Sequence, residues 1–225
     1  KHTRWAKALR RCYPAPPGMR FWEIDFSQGE LRVAACCADE RNMIDLYLRG
    51  FDLHAGTGAT LAGVPVEVFD TWESEDHAKH AAWKDYRQRA KAGNFGLLYR
   101  MSARGFQDYA WKQYSVAMSL AEAEAFKDGF FDSYPGLIDW HERQVRLAKR
   151  DKFVRSPLGR VRHLPLIDSP DSETRHKAER NAINSPVQAT LSDLCIWSAH
   201  QLELATDLTD ERVFHCVGST HDALY

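Results

Sequence analysis

The 225-residue sequence predicts an α+β fold in which a small antiparallel sheet is interrupted by a large helical insertion. Three observations lead there. Aromatic and β-branched runs lie near the two ends, "FWEIDF" at 21–26 and "RVFHCV" at 212–217. Most segments between them repeat their apolar residues at helical spacing. No internal repeat or low-complexity stretch interrupts that layout. The end strands must then pair across the insertion.

In chain order, "FWEIDF" sets Glu23 and Asp25 on one strand face. Ser27 offers a helix cap, and "SQGELRVAACCADERNMIDLYLRG" continues as one helical stretch to near Gly50. Residues 51–83 are mixed and acidic, with a loop-like "GVPVEVFDTWESED". "RQRAKAGNFGLLY" then places Arg87, Lys91, Phe95 and Tyr99 at four-residue steps, one stripe on a helix. "AMSLAEAEAFKDGFFDSY" is helical up to Pro135-Gly136, and the amphipathic "LIDWHERQVRLAKRDK" leads into the turn-rich "SPLGRVRHLPLIDSPDSET". Two more helical patterns follow, "RHKAERNAIN" and "SPVQATLSDLCIWSAHQLEL". The second opens on a capping box, Ser185 to Gln188, with Pro186 at the first helical position. The sequence stops at Tyr225 after a strand and a turn, where a hairpin partner strand is expected next, so it reads as a fragment or a piece of a larger protein.

A hydrophobic share of 44% with 27% charged residues is ordinary for a soluble globular protein. With a net charge of −1, nucleic-acid binding has to come from local cation clusters. Five cysteines, with Cys36 and Cys37 adjacent and no C-x-x-C, fit a reducing compartment and argue against a disulfide framework or zinc ribbon. No apolar run reaches membrane-spanning length, and the basic N-terminus lacks a signal-peptide core. The expected location is the cytoplasm, of a bacterium or a virus-infected host, without a membrane partner.

Asp25 and Asp222 each end a strand-like run beside a turn. Two carboxylates meeting there suit a pair of hard divalent cations, although Asp is also common at such junctions for capping alone. Arg87 and Lys91, near a helix N-terminus, would face a polyphosphate with the helix dipole behind them. Phe95 and Tyr99 offer flat faces to a sugar and a base, and Gly93 and Gly96 read as clearance for the ligand. A core helix with snorkelling cations explains the same stripe. "GTGATLAG" at 56–63 lacks the Lys-Ser/Thr of a phosphate loop. His77-x-x-His80 reads as solvated surface. Trp83, Met101 and Trp140 read as packing residues, and Glu23 as a surface residue with a third metal carboxylate as its alternative.

"DFSQGELR" (25–32), "RQRAKAGNFGLLYRMS" (87–102) and "THD" (220–222) resemble motifs A, B and C of family-A DNA polymerases, the DNA polymerase I class. "FDLHAGT", "FFDSYPG", "LGRVRHLP" and "ERNAINSPVQAT" resemble further family segments in the family's order, from about residue 10 to 222. The resemblance implies a right-hand polymerase core lacking a thumb: a palm at 1–35 and 173–225, and a helical fingers insertion at 36–172. It implies a template-directed polymerase that adds deoxynucleotides to a primer 3′-hydroxyl with release of pyrophosphate. Two Mg²⁺ ions, for which Mn²⁺ substitutes, would sit on Asp25, Asp222 and the carbonyl of Phe26. Arg87, Lys91 and His54 would hold the triphosphate, with Lys91 also protonating pyrophosphate. Phe95 would pack on the sugar, Tyr99 would lie near the templating base, and Gln28 belongs to the same nucleotide set. Glu30 would block a 2′-hydroxyl, although Ser27-x-x-Glu30 is also a capping box. Arg180, Asn184, Gln188 and His221 would contact primer–template DNA, the first three through minor-groove acceptors common to every correct pair.

The sequence departs from the family pattern at Ala223, where glutamate is usual, and at Arg100, Gly29 and Ala189, and the stretch from His54 to Arg87 is longer. These departures imply a divergent, viral branch with altered activity. Further polymerase domains or a processivity partner are expected outside the chain. A non-catalytic nucleic-acid-binding remnant and a metal-dependent nuclease using Glu23, Asp25 and Asp222 stay open as alternatives.

Overall fold

A computed structural model describes Cys12, residues 14–205, Cys216, residues 218–220, Ala223 and Leu224. The elements run β1 (Ile24–Asp25), α1 (Gly29–Ala38), α2 (Arg41–Leu48), α3 (Leu53–Ala62), α4 (Val66–Thr71), α5 (His80–Leu97) and α6 (Ala103–Tyr114). They continue with α7 (Leu120–Ser133), α8 (Gly136–Asp151), β2 (Phe153–Arg155), β3 (Val161–His163), α9 (Ser172–Ala205), β4 (Ser219–Thr220) and β5 (Ala223–Leu224). The fold is therefore mostly helical with small antiparallel sheets. Residues 28–193 form one compact unit, and residues 1–27 with 194–225 form the other. No helix among the described residues is long and apolar enough to cross a membrane.

In the smaller unit the strands order β1-β5-β4, all antiparallel. Ile24 lies opposite Leu224, and Asp25 opposite Ala223, so strands from the two ends of the chain do pair. Each strand is only two residues long, shorter than the run "FWEIDF". The expected strand "RVFHCV", apart from Cys216, lies outside the described residues. β5 is itself the hairpin partner of β4, which corrects the expectation that the sequence stops before one.

The larger unit is built on a core in which Leu31, Met43, Leu53, Leu97, Phe106, Leu137, Trp140, Ile183 and Val187 are all at 0–1% exposure. Burying each such side chain is worth about 1.5–3 kcal/mol relative to leaving it in water. That common interest fixes α1, α2, α3, α5, α6, α8 and the first half of α9 around one centre.

Four expectations change here, each for a local reason. The stretch 27–50 is two helices, because Asp39 turns left-handed (φ 50°) and its N–H closes on Cys36 and Ala35 carbonyls. Glu40 then caps α2 by accepting from Asn42 N, while its other oxygen takes Gly136 N at 2.6 Å and so holds the start of α8. The loop-like 63–76 contains α4, because Val66, Phe69 and Trp72 bury one side against Ala55 and Ala59. The turn-rich 156–174 begins as the turn and second strand of the β2–β3 hairpin, with Val154 opposite Arg162. Finally, Ser185 caps nothing: Pro186 lies inside the 34-residue helix α9, and the Ser185 hydroxyl donates back to the Asn181 carbonyl. A proline here leaves one helical carbonyl without its usual donor, and the surrounding buried residues hold the helix through it.

Candidate functional site

In the smaller unit, Asp25 is the exposed last residue of β1 and Phe26, half-buried, follows it. The register places Asp25 opposite Ala223, the residue that follows Asp222 in the chain. Asp222 and His221 themselves lie outside the described residues. Among the described residues no three His, Cys, Asp or Glu side chains are grouped to hold a metal.

In the larger unit the stripe is carried by α5, with three corrections. α5 begins at His80, so Arg87 and Lys91 sit about two and three turns inside it and not at its N-terminus. The dipole effect fades within the first turn, so it contributes little to either cation. The helix starts early because His80 and Trp83 stack (5.7 Å, 12°) and the His80 ring meets the Trp72 carbonyl. At its other end α5 stops at Leu97, so Tyr99 lies in the turn beyond it. Gly93 and Gly96 are clearance for neighbouring helices, not for a ligand. A Cβ on Gly93 would come within 2.2 Å of the Phe126 ring, and one on Gly96 would meet Phe106 and Tyr109 at 3.1–3.2 Å.

Arg87 is clamped by Asp52 through two hydrogen bonds, 2.9 and 2.6 Å, and its guanidinium lies 5.3 Å from the Trp83 ring centre. Asp52 is also the N-cap of α3, accepting from Ala55 N at 2.7 Å. Burial raises the Asp52 carboxyl, but the Arg87 hydrogen bonds, the Ala55 N–H and the Arg87 charge outweigh it and hold the pKa at about 2. Lys91 makes no ion pair among the described residues. His54, on α3, packs on Phe95 with ring centres 5.5 Å apart and is only 4% exposed. Burial, aided by the Arg87 and Lys91 charges and opposed by Asp52, lowers its pKa to about 4. At neutral pH the ring is therefore neutral and has a hydrogen bond rather than a charge to offer.

A second group joins three distant segments. The Tyr99 hydroxyl donates to Glu30 Oε2 at 2.8 Å, and the Gln188 side chain also bonds that hydroxyl. Burial first, then the Glu30 charge, raises the phenol above its usual range, so it stays a donor. Glu30 sits in the first turn of α1, but no capping box forms with Ser27. The N-cap is Gln28, left-handed at φ 55° and without a side-chain cap bond. The Gln28 side chain instead accepts from Tyr47 OH (2.9 Å) and Leu53 N (3.2 Å), tying α1 to α2 and α3. On α9, Arg180 and Gln188 are exposed and Asn184 is half-buried between them, at four-residue steps on one face. The Asn184 Oδ1 is sealed from solvent and has no partner among the described residues.

Sequence reasoning gave no role to Asp52, Thr57 or Asn94. Thr57 Oγ1 donates to Asn94 Oδ1 at 2.8 Å, and Asn94 Nδ2 lies 2.9 Å from His54 Nδ1. The available signal was polar residues on otherwise apolar helix faces: His54 and Thr57 three apart on α3, and Asn94 between Lys91 and Leu97 on α5.

The helical unit built around the Glu30–Tyr99–Gln188 junction and the unit that carries the small antiparallel sheet each have counterparts in a polymerase domain. The POL domain of Pol1 from M. smegmatis, solved in complex with DNA primer-template and dNTP, matches all of the chain and 36% of its own length, with a TM-score of 0.75 and 28% identity. The family model for DNA polymerase family A matches residues 1–225, and the chain belongs to that family. DNA polymerase I of Pseudomonas aeruginosa is 36% identical over 192 residues, covering 85% of the chain and 19% of the relative. The DNA polymerase of Bacillus phage SP01 is 33% identical over 176 residues, covering 78% and 18%. The chain thus spans about a fifth of the length of these curated relatives.

Proposed function

We propose that the chain is the palm and fingers core of a template-directed DNA polymerase, with palm at 1–35 and 173–225 and fingers at 36–172. Its substrates are a deoxynucleoside triphosphate and primer–template DNA, the ligands of the M. smegmatis neighbour. The observation that carries this reading is the Glu30–Tyr99–Gln188 junction, which joins motif A, motif B and the minor-groove helix through one hydroxyl.

Lys91, unpaired among the described residues, is the cation free to meet the phosphates and to give a proton to the leaving pyrophosphate. Arg87 serves the same phosphates while Asp52 fixes the plane of its guanidinium. Phe95, backed by His54, carries the sugar, and Tyr99 stands at the templating base. Glu30 is held by Tyr99 where it rejects a 2′-hydroxyl. Arg180, Asn184, Gln188 and His221 follow the duplex. The Asp25 carboxylate is exposed at a strand end, and with the Phe26 carbonyl and Asp222 it would make an all-oxygen donor set, which fits Mg²⁺ or Mn²⁺. Two such ions, when bound, neutralise charge on the attacking and leaving oxygens.

Ala223 favours one second reading, a binding-only remnant. It is 5% exposed and stands opposite Asp25, where the family usually has a carboxylate. Primer extension by the full-length protein decides between them. Template-dependent incorporation lost on Asp25→Ala upholds the polymerase. DNA binding without extension upholds the remnant.

A further inference from the structure

The His54 ring is approached by Asp52, Arg87 and Lys91 electrostatically and by Phe95 through packing. The contact that sets its proton comes from elsewhere. Tyr134 OH, Thr57 Oγ1, Asn94 and His54 Nδ1 form a buried chain with spacings of 3.1, 2.8 and 2.9 Å. Direction follows from the hydrogens available. Thr57 donates its single hydroxyl proton to Asn94 Oδ1, so Tyr134 must donate to Thr57. With Oδ1 fixed as the acceptor, the Asn94 amide N–H faces the imidazole, and Nδ1 must accept. The neutral ring then carries its proton on Nε2, the ring nitrogen not used within the described residues.

We propose that Asn94 is a positioning residue that locks His54 in the Nε2–H tautomer, so that a neutral N–H is aimed at the phosphates of the incoming nucleotide. This rests on the polymerase reading only for the identity of the phosphate. Asn94 is fully buried and Tyr134 is 3% exposed, so water does not compete for the relay. Burial also pushes the Tyr134 phenol up to about 12, despite its bond with Thr57, so the chain keeps its first proton at neutral pH. A buried ring with both nitrogens satisfied by acceptors would instead ionise or flip, and the Thr57–Asn94 pair prevents that.

The test is ¹⁵N NMR of the histidine-labelled full chain at pH 7.5, with His54 assigned by loss of its signals in His54→Gln. The expected spectrum has the His54 proton on Nε2, and Asn94→Asp moves it to Nδ1 because a carboxylate only accepts. A wild-type proton on Nδ1, which is the reversed relay, overturns the inference without any variant. So does a folded Asn94→Asp whose proton stays on Nε2. The second arm is nucleotide KM in primer extension by the full-length protein. His54→Gln, whose amide nitrogen lies nearest the Nε2 position, holds KM within about threefold, and His54→Asn raises it about tenfold with kcat little changed. Equal losses in both variants overturn the donor role. A wild type that shows the Nε2 proton but extends no primer overturns the polymerase reading and the phosphate contact, and upholds the tautomer lock.

Discussion

Gly93→Ala separates packing from ligand clearance at the centre of α5. In an open helix the change would stabilise by about 1 kcal/mol, the propensity difference between the two residues. Here the new methyl would lie 2.2 Å from Phe126 Cε1 and 2.4 Å from Cζ, against about 3.5–4 Å for a comfortable contact. Phe126 must swing by more than an ångström. That forfeits its contact with Phe106 at 5.1 Å and part of its burial, a cost of about 2–3 kcal/mol. The net is a loss of about 1–2 kcal/mol, or a Tm drop of about 2–8 °C for a chain of this size. Gly96→Ala is the internal control: its contacts at 3.1–3.2 Å ask neighbours for a few tenths of an ångström, so propensity and crowding cancel to within about 1 kcal/mol. Thermal unfolding followed by circular dichroism reads both. In addition, Phe126→Leu should relieve much of the Gly93→Ala penalty, a non-additivity expected of residues in contact. A Gly93→Ala protein that melts higher than wild type but no longer binds nucleotide refutes the packing account and restores the ligand account.

Four further outcomes follow from the same geometry. Arg100 is left-handed at φ 61°, which explains why glycine is usual there, and its 3.9 Å pair with Glu179 duplicates the shorter Lys149 contact; Arg100→Gly should therefore gain about 0.5 kcal/mol, and a lower Tm counts against it. Burial holds both His54 and His141 near pKa 4, His141 despite its bond to the Leu98 carbonyl, so their stability contribution is complete above about pH 6.5 and is lost as pH falls toward 4. Urea midpoints that stay flat across that window refute the sign. Lys91→Ala should lower kcat about 100-fold or more with a smaller change in nucleotide affinity, and an effect confined to KM makes it an anchor only. Glu30→Ala should raise ribonucleotide incorporation about tenfold, because it removes the carboxylate that Tyr99 holds; unchanged sugar selectivity in a primer-extension competition removes that role.

What the sequence made legible, and what it hid, divides along one physical line. Patterns that depend on a single helix face could be read directly: the Arg87–Lys91–Phe95 face and the spacing of Arg180, Asn184 and Gln188. That strands near the two ends pair was also legible, but the strand found opposite β1 is β5 and not the one expected at 212–217. Features decided by what a residue meets across the core could not be read directly. Glycine at 93 has the same local signature whether it faces a sugar or Phe126, because both need a missing Cβ. Ser185-Pro186 has the signature of a helix start, but a start requires the preceding turn to be free, and Ala182 and Ile183 are fully buried there. Burial on that scale outweighs one lost helical hydrogen bond, so α9 continues through the proline. The same distinction governs charge. Arg87 and Lys91 look equivalent in sequence, yet Asp52, brought in by the cap of α3, takes two of Arg87's donors and none of Lys91's. On the proposed reading, an incoming triphosphate would therefore share Arg87 with a carboxylate but could claim Lys91 outright. That asymmetry, not the stripe itself, is why Lys91 is the group on which the chemical step should depend.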